Sequence, residues 1–97
     1  MRPESIARPQ AEALAVQALA WMAGDAELIG RFLAAAGAGP AELRARAAEP
    51  EFLGFVLDYL LSDEAALIAF ATAENIPPAL PMRARAALPG GDLPNWT

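Results

Sequence analysis

Apolar side chains recur every three or four residues along most of the chain, which is the spacing of one face of an α-helix. In the first long stretch, 10–23, this stripe comprises Leu14, Ala18, Trp21 and Met22. No window alternates apolar and polar residues as a half-buried strand does, and the β-branched residues are scattered. The pattern predicts an all-α fold, a compact bundle of about six short helices.

Capping signals set the bounds of the first two helices. The first, 10–23, is followed by Gly24, which we expect to end it in a left-handed conformation. Asp25 then serves as the N-cap of a second helix over 26–36, which Gly37 ends in the same left-handed way. These two helices are therefore predicted to be joined by a very short turn.

Prolines open the next two helices. Pro40 suits the first position of a third helix, which is limited to three turns. Pro50 opens a fourth helix over 51–61, and apolar side chains surround this segment almost completely. A helix that is apolar on all sides must be buried on all sides, so the fourth helix is predicted to be central.

A fifth helix is predicted over 64–74. Ser62 or Asp63 can cap its start, and Asn75 takes the place of glycine as its left-handed stop. The acidic side chain of Glu64 in the first turn complements the helix dipole. The residues expected to face inward are Leu67, Ile68 and Phe70.

The sixth helix ends at Leu88 and starts at Pro78 or at Pro81, because proline is a poor residue in a helix interior. Ordered structure is predicted to end at 89–91, which read Pro-Gly-Gly. Trp96 is the one large aromatic residue of the tail beyond them. The predicted organisation is a flexible lead over 1–8, a single helical domain over 9–88 and a flexible tail over 89–97.

The chain resembles itself when it is shifted by 38 residues. Beyond Pro40 the shift becomes 39, and the sequence Arg-Ala-Arg-Ala-Ala of residues 44–48 then recurs at 83–87. The pattern predicts two three-helix units, 9–48 and 50–88, that share one core, since about 38 residues rarely fold alone. The other aligned pairs are Leu19 with Leu57, Trp21 with Tyr59, Met22 with Leu60, Asp25 with Asp63, Phe32 with Phe70, Gly37 with Asn75 and Pro40 with Pro78.

Composition excludes several function classes. The chain has no Cys and no His, which removes thiol nucleophiles, disulfides, ordinary zinc sites and an imidazole base. Its net charge is −5, with 12 acidic residues against 7 basic ones, which argues against nucleic-acid binding. No apolar run approaches the roughly 20 residues of a membrane span. We expect a cytoplasmic protein with no cofactor, no nucleic acid and no membrane among its partners.

Seven short segments carry a resemblance to a known family. Over 9–91 the chain resembles a bacterial family of short, Ala-rich helical proteins labelled only as a domain of unknown function. The resemblance implies no activity, cofactor, partner or catalytic residue, and Asn75 and Pro81 depart from the family pattern near the last helix. The segments are 18–25 (Ala-Leu-Ala-Trp-Met-Ala-Gly-Asp), 30–33 (Gly-Arg-Phe-Leu), 38–40 (Ala-Gly-Pro), 49–53 (Glu-Pro-Glu-Phe-Leu), 56–61 (Val-Leu-Asp-Tyr-Leu-Leu), 63–64 (Asp-Glu) and 88–91 (Leu-Pro-Gly-Gly).

Two charged groups are candidates for chemistry. Asp58 and Asp63 lie close enough in sequence for a carboxylate site, but Asp63 suits a cap and Asp58 suits an exposed edge or a pair with an Arg. These carboxylates do not have the alternating spacing of oxygen ligands that a calcium-binding loop requires. The Arg pairs could clamp an anion if the repeat brings them together, although residues two apart on a helix point about 200° apart, which favours surface ion pairs. The pairs are Arg44 with Arg46 and Arg83 with Arg85.

Aromatic residues provide the candidate interface. Phe32 and Phe70 are expected in the core, whereas Trp21 and Tyr59 carry polar tips that favour an edge and are the predicted interface residues. The sequence thus favours a non-enzymatic protein-interaction or adaptor module that binds a second copy of itself or another protein. The alternative is a small-ligand or anion-binding protein, or an enzyme, that uses the Arg pairs or Asp58 and Asp63.

Overall fold

A computed structural model describes residues 6–90, which form six helices and, within that range, no strand. The all-α fold with about six short helices is therefore confirmed. A single 3₁₀ turn, Pro40–Glu42, leads directly into α3. The helices are α1 (Arg8–Ala23), α2 (Ala26–Ala36), α3 (Leu43–Arg46), α4 (Pro50–Leu61), α5 (Glu64–Glu74) and α6 (Leu80–Ala86).

The predicted caps of α2 are confirmed. A carboxylate oxygen of Asp25 accepts hydrogen bonds from the backbone N–H groups of Glu27 and Leu28, at 3.0 and 3.1 Å. Gly37 ends the helix at φ 67°, a left-handed conformation that glycine adopts without steric cost. Both ends of α2 are therefore specified by single residues of the sequence.

The caps of α5 follow the same scheme. Asp63 is the N-cap, since its Oδ1 accepts a hydrogen bond from the backbone N–H of Ala66 at 3.2 Å. The hydroxyl of Ser62 instead donates to the carbonyl of Tyr59 at 2.7 Å, which closes the end of α4. Asn75 ends α5 at φ 57°, so the predicted left-handed stop is confirmed.

The left-handed stop predicted at Gly24 is wrong. Gly24 has φ −77°, a right-handed conformation, and α1 runs almost directly into the cap of α2. The N–H of Gly24 bonds the carbonyl of Trp21 and the N–H of Asp25 bonds that of Met22, so a tight right-handed turn satisfies the helix end. The start of α1 also differs from the prediction, because the helix begins at Arg8.

Neither predicted start of the last helix is the observed one. The helix α6 begins at Leu80, which places Pro81 in the first turn, where a missing N–H removes no helical hydrogen bond. It ends at Ala86, two residues before Leu88. Pro81 is fully buried, so its ring contributes to the packing of this end of the molecule.

Three helices form the centre of the fold. The helices α1, α4 and α6 contact one another, while α2 packs on α1 and α5 packs on α4. The central position predicted for the fourth helix is therefore confirmed. The largest fully buried side chains come from several helices and are Phe32, Phe70, Met22, Leu57, Leu60, Val56 and Pro81.

The inward orientation predicted for Ile68 is wrong. Its side chain is 48% exposed, whereas Phe70 and Ala71 on the same helix are buried. Residues two apart on a helix point about 200° apart, so the burial of Phe70 turns Ile68 towards the opposite side. Leu67 lies between these extremes and is half-buried.

Aromatic contacts cross between the two predicted repeat units in both directions. The rings of Trp21 and Phe70 lie 5.6 Å apart between centroids, and those of Tyr59 and Phe32 lie 5.3 Å apart. The last helices of the units differ, because α3 has no buried residue whereas α6 buries two. The internal repeat itself stays a prediction.

Most of the two predicted flexible ends lies outside the described residues. This holds for 1–5 of the lead and for 91–97 of the tail, including Trp96. Within the described range, Leu88 is buried and the carbonyl of Pro89 accepts a hydrogen bond from Arg85. The chain is thus anchored to the helical body as far as Pro89.

Candidate functional site

A groove of about 590 Å³ lies between the end of α4, the start of α5 and the outer side of α6. Its volume is in the range of ligand and peptide sites. Most of its lining is apolar, and two charged side chains stand at one wall. The apolar residues are Leu61, Leu67, Met82 and Ala86, and the charged ones are Asp58 and Arg85.

Local structure explains why these side chains meet. Leu61 is the last residue of α4, and after the turn at Ser62 the helix α5 places Leu67 beside it. Met82 extends from α6 and is 63% exposed. It lies two residues after Leu80 and two before the buried Ala84, so it points to the side of α6 that faces away from the core.

An ion pair joins α4 and α6 at the wall of the groove. The Nε–H of Arg85 donates to Oδ1 of Asp58 at 2.6 Å, and the Nη1–H of Arg85 donates to the carbonyl of Pro89 at 3.0 Å. The Arg85 side chain is only 17% exposed, whereas that of Asp58 is 53% exposed. The sequence left two alternatives open for Asp58, an exposed edge or a pair with an Arg, and the structure shows both.

Gly54 makes room for this arginine. A Cβ atom built on Gly54 would lie 3.0 Å from Nη1 and 3.2 Å from Cζ of Arg85, which is closer than ordinary van der Waals contact. Gly54 lies one helical turn before Asp58 on α4, so the guanidinium crosses the bare backbone at Gly54 and reaches the carboxylate. The missing side chain at Gly54 is thus part of the site.

Replacement of Gly54 by alanine is expected to lower the free energy of unfolding by about 1 kcal/mol. The new methyl group would displace the guanidinium of Arg85, which is held by its hydrogen bonds to Asp58 and Pro89. In an Arg85→Ala background the same change is expected to raise the free energy of unfolding by about 1 kcal/mol, since alanine favours a helix interior over glycine. Urea unfolding followed by circular dichroism measures both values. An equal gain in the two backgrounds would show that Arg85 does not constrain Gly54.

The two Arg pairs do not converge on one groove. Arg46 lies at a separate, smaller groove of about 280 Å³, where its Nε bonds Oε1 of Glu49 at 3.2 Å and its guanidinium lies 4.7 Å from the ring centroid of Phe52. Arg44 is exposed on α3, and Arg83 is half-buried on α6. Arg46 and Arg85 therefore each pair with a different carboxylate, Glu49 and Asp58.

The predicted interface residues lie outside the groove. Trp21 and Tyr59 are half-buried and pack against the core, and neither lines the groove at Met82. Asp63 contributes to the site only through the turn that it caps. Sequence reasoning missed Met82, because the side of α6 that is exposed depends on how the helix packs on its neighbours.

Two further observations bear on the kind of site. Across residues 6–90, no three acidic side chains come together in a way that could hold a metal ion. None of the helices in this range combines the length and apolar character that crossing a bilayer requires.

Comparisons with known proteins define the family and nothing more specific. No curated protein and no solved structure matches the chain. One family model matches residues 8–91, which include all six helices and the whole groove. The chain therefore belongs to the family described as Protein of unknown function (DUF3572).

Proposed function

We propose that this domain is a non-enzymatic protein-interaction module and that its groove between α4, α5 and α6 binds an apolar segment of a partner. The observation that carries this proposal is the exposure of Met82, a flexible apolar side chain that is 63% exposed at the mouth of the groove. Methionine adapts its shape to different partners and is common at such surfaces. Exposed apolar area of this kind is a source of binding free energy when a partner covers it.

The distribution of apolar surface supports this site over others. Val16, Ile68 and Met82 are the exposed large hydrophobic residues within the described range. Met82 lines the groove, whereas Ile68 lies on α5 next to the groove residue Leu67 without lining the groove itself. Val16 lies on α1, does not line the groove and serves as a control.

The charged residues Asp58 and Arg85 make one wall of the groove chemically different from the rest. Asp58 uses Oδ1 to bind Arg85 and is half exposed, so its carboxylate remains accessible at the rim. A polar group at the edge of an apolar groove fixes the orientation of a bound segment more than it adds to affinity. The site therefore combines an adaptable apolar floor with a fixed polar edge.

Replacement of Met82 by glutamate is expected to weaken partner binding by about 10- to 100-fold, because burial of a methionine side chain is worth about 1.5–3 kcal/mol. The free energy of unfolding should change by no more than about 0.5 kcal/mol, since the side chain is largely exposed. The measurement begins with light scattering over a concentration series, which detects a second copy as the partner. Proteins that co-purify with the wild-type chain are then identified by mass spectrometry and titrated, once purified, against both chains.

Val16→Glu is the matched control, because it adds the same charge at an exposed apolar residue that does not line the groove. The proposal predicts that this variant binds the purified partner, or self-associates, as the wild type does. Equal binding by wild type, Met82→Glu and Val16→Glu would exclude the groove as the binding site. Equal loss in both variants would indicate a general effect of charge.

A further inference from the structure

The accessible polar atoms at the wall of the groove accept hydrogen bonds. Asp58 uses Oδ1 for the Nε–H of Arg85, and its other oxygen, Oδ2, accepts no hydrogen bond from any group within residues 6–90. Ser62 also lines the groove, and its hydroxyl donates its proton to the carbonyl of Tyr59, which leaves the lone pairs of the oxygen to accept. A group that binds to this wall must therefore supply N–H or O–H donors.

The positive charge of Arg85 is already engaged within the fold. Its Nε–H and Nη1–H donate to Asp58 and to the carbonyl of Pro89, and its side chain is largely buried, whereas that of Asp58 is half exposed. The other arginine of α6, Arg83, is half-buried and does not line the groove. The charge that a bound segment contacts at this wall is therefore the carboxylate of Asp58.

The end of α4 adds to the negative potential of the wall. The last turn of α4 contains Asp58 and Leu61 and is followed by its C-cap, Ser62, and all three line the groove. The C-terminal end of a helix carries the negative end of its dipole, and this last turn has no basic residue to compensate it. The net charge of −5 on the whole chain extends the attraction for a cationic partner over a longer range.

We propose that the segment bound by the groove is basic and amphipathic, with an Arg or Lys side chain on Asp58 and neighbouring apolar side chains on Leu67 and Met82. This inference rests on the proposed function and names the class of its partner. A guanidinium or ammonium group supplies both the positive charge and the donors that Asp58 and Ser62 require. An acidic segment would instead place like charges side by side, which disfavours binding.

Selection from a phage-displayed library of random linear peptides tests the proposal, with the full chain as bait. Peptides are kept when they bind the wild type and lose binding to Met82→Gln. This variant removes the apolar contact at nearly the same side-chain length and adds no charge, so it identifies peptides that use the groove. These groove-dependent peptides are expected to be enriched in Arg or Lys next to apolar residues, relative to the unselected library.

Titration of one selected basic peptide then measures the contribution of the carboxylate. Asp58→Asn keeps an oxygen for the Nε–H of Arg85 but removes the charge, and it is expected to weaken binding by about 3- to 10-fold. Added salt should weaken binding to the wild type more than binding to Asp58→Asn. Glu12→Gln is the matched control, because it removes a carboxylate from the exposed pair with Arg8, which does not line the groove, and it should bind as the wild type does.

A neutral peptide repeats the measurement without any change to the protein. Replacement of the basic residue of the peptide by citrulline should weaken binding to the wild type by the same factor and binding to Asp58→Asn hardly at all. Groove-dependent peptides without enrichment in Arg or Lys, or equal binding of the basic and the citrulline peptides to the wild type, would overturn the inference and leave the proposed function intact. A selection that yields no groove-dependent peptide would count against both.

Discussion

Phe32→Ala is expected to lower the free energy of unfolding by about 3–5 kcal/mol, because the change leaves a cavity in a fully buried position. The ring of Phe32 packs against three other aromatic rings, with centroid distances of 5.3 Å to Tyr59, 5.6 Å to Phe55 and 5.8 Å to Phe52. Each kilocalorie lowers the melting temperature of a domain of this size by about 4–8 °C. The expected loss is therefore a large fraction of total stability, which is about 5–15 kcal/mol for a typical domain.

Phe70→Ala tests the internal repeat at the equivalent position. Phe70 is also fully buried and packs against Trp21, so a similar loss of about 3–5 kcal/mol is expected. Urea unfolding followed by circular dichroism gives both values. Ile68→Ala is the control on the same helix and should cost much less, since Ile68 is 48% exposed. Strongly unequal losses at Phe32 and Phe70 would contradict a structural repeat.

Trp21→Ala is the second change with a large expected effect, a loss of about 3 kcal/mol. The indole is half-buried and packs against the core, with its ring 5.6 Å from that of Phe70. Thermal and urea unfolding of the variant measure the loss. A variant that keeps its stability but loses a binding partner would instead support the interface role that the sequence predicts for Trp21.

A double-mutant cycle isolates the aromatic contact from the general cost of the cavity. The single variants Trp21→Leu and Phe70→Leu and the double variant keep an apolar side chain at each position. We expect a coupling of about 0.5–1.5 kcal/mol between the two rings. Tyr59→Leu with Phe32→Leu forms the equivalent cycle for the second aromatic contact between the two predicted repeat units. Additive losses of unfolding free energy in both cycles would show that the rings do not interact specifically.

The sequence predicts those parts of the fold that a single residue decides. Four residues cap the start or the end of a helix through local geometry, so their roles could be inferred without knowledge of the neighbouring helices. Asp25 and Asp63 accept hydrogen bonds from backbone N–H groups of the first turn, and Gly37 and Asn75 end a helix in a left-handed conformation. The central place of α4 could be inferred in the same way, because its apolar residues surround it. Gly24 is the exception, since the immediate start of α2 leaves no room for a left-handed residue.

The candidate site could not be predicted in the same way, because it depends on how three helices are placed. Met82 lines the groove only because α6 packs between α1 and α4 with its other side buried. The bond from Arg85 to Asp58 joins residues 27 positions apart, which no local pattern reveals. Residue type indicated Trp21 and Tyr59 as edge residues, and both are half-buried side chains packed against the core, so their interface role stays a prediction.

The reciprocal aromatic contacts have a consequence for synthesis of the chain. Phe52, Phe55 and Tyr59, the rings that surround Phe32, all lie on α4 and are translated about 20 or more residues later. A nascent chain that has released only α1 and α2 from the ribosome therefore exposes Phe32 and Trp21 to water. The exposed rings of α1 and α2 remain accessible to chaperones until α4 and α5 have emerged from the ribosome. The two groups of helices can then pack against each other.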